Sequence, residues 1–160
     1  MRYALKFLHT MGAVGLMGSM ACLLVLLNLT PAPTSSLAEY ALMRRAMGAV
    51  ATWIFFPSIG LTLVAGLLSI GLNRAFHNAG WAWAKLATGI LVFEGGFVGV
   101  LGPMQEESAR SARALTGDVA ASTLAGSLGA ERGTLWVLLA VATANIVLGV
   151  WRPRLTRIPD

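Results

Sequence analysis

The sequence predicts an all-α fold: an integral membrane four-helix bundle with a polar, partly helical linker between helices 3 and 4. Three observations predict it. Charged residues make up 12% of the 160-residue chain, about half the ~25% of ordinary soluble domains. Four apolar runs approach or exceed the roughly 20 residues that cross a hydrocarbon layer about 30 Å thick. Trp81, Trp83, Trp136 and Trp151 stand at the ends of those runs, where indole rings favour the headgroup boundary.

The first span runs from about Leu5 to Leu29 and is closed by Thr30-Pro31. Its apolar stretch exceeds the 7–15 residues of a signal-peptide core, so it reads as a retained helix. Ser36 and Glu39 are spaced as a capping box, and a helix can run from there through Arg44-Arg45 into the second span, about Ala46 to Leu72. Pro57 lies inside that span and removes the hydrogen bond to the Trp53 carbonyl, which predicts a kink. The third span, Trp81 to Gly102, stops at Pro103, and the fourth, Gly133 to Trp151, stops at Arg152-Pro153. The linker 104–132 is too polar to span. The whole chain, 1–160, reads as one membrane domain.

Lipid is the expected solvent, and nucleic acid is not an expected partner: the 12 Lys and Arg are scattered at the ends of apolar runs, without the basic, aromatic-studded face that nucleic-acid binding requires. The single cysteine, Cys22, excludes an internal disulfide and a Cys-rich metal cluster. Arg2, Lys6, Arg74, Lys85, Arg152, Arg154 and Arg157 fall on one side; Arg44, Arg45, Arg110, Arg113 and Arg132 fall on the other. The bias places both termini in the cytoplasm.

Polar groups within a span are costly, so each is a functional candidate. His9 and Lys85 begin helices on the same face at similar shallow depth, and Lys6 and His77 belong to that face too. Such a set suits an anionic headgroup, a propionate or a quinone. A boundary histidine that only hydrogen-bonds a neighbouring helix is the plainer reading of His9. Met20 is no co-ligand, being about 16 Å away along the axis. Glu94, near mid-span, is expected to be protonated or paired, in a buried polar network with Asn145 and the Trp53 carbonyl. Lys85 and Glu94, nine residues apart, face opposite sides of their helix. Gly95 and Gly99, with Gly12, Gly15 and Ser19, form small-residue seams for close helix packing.

LKFLH at 5–9, MRR at 43–45 and GWAWAK at 80–85 resemble an uncharacterised family of predicted bacterial integral membrane proteins. The resemblance covers about the first hundred residues. More distantly, the layout is similar to the copper-resistance protein D domain and to the four-helix haem-binding type of protoporphyrinogen oxidase. The distant resemblance implies His9 as a haem or metal ligand, with Arg44, Arg45 and Lys85 as companions, and haem b or copper as the cofactor. The chain departs from the oxidase pattern in offering Glu94 where a second histidine stands, and in placing its proline later in the second helix. Porphyrinogen oxidation is therefore not expected, and no nucleotide loop, zincin motif or nucleophile elbow points to another enzyme. Three functions follow as expectations in the inner membrane: a haem or copper protein built on His9, an accessory subunit with a homo-oligomeric or other membrane-protein partner, and a small transporter or proton relay using Glu94.

Overall fold

A computed structural model describes residues 2–73 and 79–151. Arg74 and His77, and the C-terminal Arg152, Arg154 and Arg157, lie outside them. Among the described residues every regular element is helical, and four helical columns are long and apolar enough to cross a membrane.

The first column is α1, Arg2–Leu29. The second joins α2, Leu37–Val50, to α3, Phe56–Gly71, through a π-helical turn at Ala51–Phe55. The third joins α4, Gly80–Gly96, to α5, Gly102–Leu115, through a second π turn at Phe97–Leu101. After a 3-10 turn at Ala121–Thr123, α6 covers Leu128–Trp151. Column packs on column in a closed ring, with α1 against α3, α3 against α4, α4 against α6 and α6 back against α1, while α2 pairs with α5.

Local chemistry explains where these helices start and widen. Ser36 caps α2, accepting a hydrogen bond from the Glu39 N–H at 3.4 Å. The Ser36 N–H bonds the Ala32 carbonyl, so only half of the expected box forms. Each π turn lies just before a proline, Pro57 or Pro103. A proline ring collides with the carbonyl four residues back. The wider turn relieves this: the Phe56 N–H reaches the Ala51 carbonyl, and the Gly102 N–H reaches the Phe97 carbonyl. The kink expected at Pro57 is thus delivered as a π bulge, a common source of helix bends. At Pro103 the same device carries the helix onward. The apolar run ends there, yet the helix continues to Leu115.

The second and third columns hold 35 and 36 residues, about 52 and 54 Å of helix at 1.5 Å per residue. A hydrocarbon layer of about 30 Å leaves α2, α5 and the start of α6 projecting beyond it as a polar cap. The main apolar core, including Leu16, Met20, Leu23, Phe55, Val100 and Leu135, occupies the half nearest the cap. A smaller cluster of Tyr40, Ala114 and Leu124 sits inside the cap itself.

Candidate functional site

The glycine seams set how the columns meet. A Cβ on Gly12 would lie 2.5 Å from Thr62 Oγ1, and one on Gly15 would collide with Ser58 Oγ. These two glycines therefore press α1 onto α3. Gly96 meets Phe55 and Ile59, Gly95 meets Leu138, and Gly99 meets Thr134. The small residues act within the chain, as close packing between helices requires.

Toward the end that carries the first residues of α1, the columns splay around a cleft of about 930 Å³ lined by residues of α1, α3, α4 and α6. Its walls are mostly apolar, including Leu16, Ile59, Leu63, Leu86 and Val92. Its polar groups include Lys6, His9, Lys85 and Asn145. Its volume lies within the ~300–1,000 Å³ usual for ligand sites.

His9 Nδ1 stands 2.8 Å from the Thr62 carbonyl oxygen. A carbonyl only accepts, so Nδ1 carries the proton and donates it. In the neutral ring this leaves the Nε2 lone pair available, the arrangement that orients histidines that bind metals. Gly66 lies beside the ring: a Cβ there would meet the imidazole at 3.5 Å, an ordinary packing distance. The same bond also satisfies the plain reading of a histidine tied to its neighbouring helix. Across the cleft the Lys85 ammonium packs over Gly149, whose absent Cβ would be 2.6 Å from Nζ. Deeper in, Thr88 Oγ1 donates to Asn145 Oδ1 at 2.6 Å.

The arrangement departs from the expected one in two places. First, Asn145 joins Thr88, not Glu94, and Glu94 is exposed on the outer face of α4. The expected buried polar network of Glu94 and Asn145 is thereby corrected. Successive residues of a helix turn by about 100°, and the adjacent Gly95 and Gly96 point at α6 and α3. Glu94 is consequently rotated outward. Because Lys85 lies half a revolution from it, Lys85 turns into the cleft.

Second, Arg44 and Arg45 do not join His9. Thr62, which holds His9, lies eighteen residues along the second column from Arg44, about 27 Å at helical rise. Arg45 is exposed, and Arg44 is wholly buried in the cap. There Arg44 Nη1 donates to Glu131 Oε2 at 2.6 Å, and Nε donates to the Tyr40 hydroxyl at 3.0 Å. Tyr40 in turn donates to Glu107 Oε1 at 2.7 Å. The Ala125 N–H and Arg110 Nη1 also donate to Glu107, and Ser127 donates to Glu131. Arg44 Nη2 has no hydrogen-bond partner among the described residues.

Sequence reasoning missed this cap network. Its visible signals were the helical i,i+4 spacings of Tyr40 with Arg44 and Ser127 with Glu131. The decisive pairing spans 87 residues, and a carboxylate in a polar linker looks like an ordinary solvated one.

Copper does not fit the His9 site. Among the described residues no group of three or more His, Cys, Asp and Glu side chains gathers. Lys6 and Lys85 also add positive charge around a lone imidazole. A haem would find here one imidazole held through Nδ1 by the Thr62 carbonyl, mostly apolar walls, and the ammonium groups of Lys6 and Lys85.

The fold and the cleft define a class: a small multi-pass membrane protein with an ion-paired polar cap at one end and a mainly apolar cleft among its four columns at the other. Compared with protein-family models, with curated proteins and with solved structures, the chain matches none.

Proposed function

We propose that the protein holds an amphipathic, negatively charged ligand in the His9 cleft, with haem b as the candidate its residues suit best. The observation that carries this reading is the His9–Thr62 bond at the wall of the cleft. It orients one imidazole and leaves Nε2 as the acceptor. Lys6 and Lys85 supply positive charge in the same cleft, and most of the remaining lining is apolar. A bound haem would supply a redox-active iron with one protein ligand.

The setting that goes with this reading is a bacterial inner membrane, with both termini in the cytoplasm. It is supported by the Lys and Arg bias between the two faces. The proton-relay alternative loses its expected route, because Glu94 and Asn145 lie on different faces of the bundle.

The test is an absorption spectrum of protein produced with haem supplied and purified in detergent. A Soret band at one haem per chain is expected, abolished in His9→Ala and weakened in Lys85→Ala. A colourless wild-type protein, or a band indifferent to His9→Ala, overturns the reading.

A further inference from the structure

Glu94 is an ionisable side chain on the outside of a membrane helix. It lies thirteen residues from Trp81 and nine from Pro103, about 20 Å and 13 Å along the axis, so it falls well inside a hydrocarbon layer. On the exposed face of α4 and the π turn that follows it, Glu94 is flanked by Ile90, Leu91, Phe97 and Val98, all exposed, at the i, i+1, i+4, i+7, i+8 spacing of one helical stripe. Among the described residues its carboxyl makes no hydrogen bond or ion pair. Lipid offers no partner, and intramembrane carboxyls almost always face protein or a water-filled cavity.

We infer that this stripe of α4 is the contact surface of a homodimer, in which Glu94 of each copy hydrogen-bonds Glu94 of the other. Complementarity selects a second copy as the occupant. A protonated carboxyl is both donor and acceptor, so two of them across a twofold axis satisfy one another. A twofold interface brings each patch onto itself. An ionised Glu94 would instead need a cation at matching depth on an outer face of this chain. The exposed Lys6 lies near one end of the molecule, and the exposed Arg45, Arg113 and Arg132 lie toward the other. Lys85 is turned into the cleft. Interhelical hydrogen bonds of this type help drive association in membranes, where apolar surface alone does not. The inference rests on the spanning helices and not on what the cleft holds.

The native Cys22 provides a control, because it is exposed on α1, the column diagonal to α4 in the ring. In isolated membranes, a short bis-maleimide should link Cys22→Ala/Val98→Cys into a species of twice the chain mass. The wild-type chain, carrying only Cys22, should give little. Adding Glu94→Leu should cut the yield by about fivefold, whereas Glu94→Gln, which keeps a donor and an acceptor, should retain most of it. Glu94→Leu places an apolar side chain in lipid, so a monodisperse monomer is expected and shows that folding survives. Equal linking from Cys22 and from position 98, an unchanged yield in Glu94→Leu, or an adduct of another mass each overturns the inference. Fractionation of the chain away from membranes would instead sink the spanning-helix reading.

Discussion

Arg44 shows how far a single residue's role depends on its partners. In the sequence it stands with Arg45 as a basic pair at the start of a span, which reads as a boundary anchor. In the structure it is fully buried and Glu131, 2% exposed, is its ion-pair partner. A buried pair returns little net stability over an apolar pair of similar volume, because both ions lose their water. Breaking it is different, since the remaining charge stays buried alone. Arg44→Met should therefore lower stability by about 3–5 kcal/mol, measured by thermal unfolding in detergent. Arg44→Met combined with Glu131→Met should recover most of that loss. If the double variant is as unstable as the single one, the ion pair is not what Arg44 contributes. Neither partner was assignable from the sequence, because the four carboxylates of residues 104–132 look alike until the chain folds.

At the scale of the element, the seams and the prolines were the legible features. Gly12 and Gly15 announced a close helix contact by spacing alone, and Pro57 announced a break in regular geometry. What the pattern could not show was which helix each seam meets. Gly12 and Gly18 test this, being six residues apart on the same helix. Gly12→Val would drive a branched side chain into Thr62, the residue whose carbonyl holds His9. A loss of about 1–3 kcal/mol is expected for such overpacking, and, on the proposed haem reading, a weakened Soret band. Gly18 has open space around it, so Gly18→Val should stay within about ±0.5 kcal/mol. Similar losses at both positions would mean that valine weakens α1 itself, not its contact with α3.

At the scale of the molecule, the two ends differ in kind. The cap end is held by α2 against α5, a small apolar cluster and the Arg44–Glu131 and Tyr40–Glu107 links. The other end opens into the cleft. If the termini are cytoplasmic, the cap faces outward. Cysteine labelling checks this in a Cys22→Ala background. Ser122→Cys, in the cap, should react with a membrane-impermeant maleimide on spheroplasts. Tyr3→Cys, at an exposed position of α1, should react only after permeabilisation. The reverse pattern would invert the topology and place the cleft on the outer side.

The division between sequence and tertiary structure follows from the range of the forces involved. Solvent class, four spans, the polar linker and the positions of helix distortion depend on hydropathy, helical period and proline geometry. Each acts within a few turns, so the sequence alone determines them. The rotation of each column about its axis was decided by contacts distant in sequence, chiefly glycines meeting Thr62, Phe55 and Leu138. That rotation sends Glu94 outward and turns Lys85 into the cleft. The same residues, turned by half a revolution, would have given the buried Glu94 network that the sequence suggested.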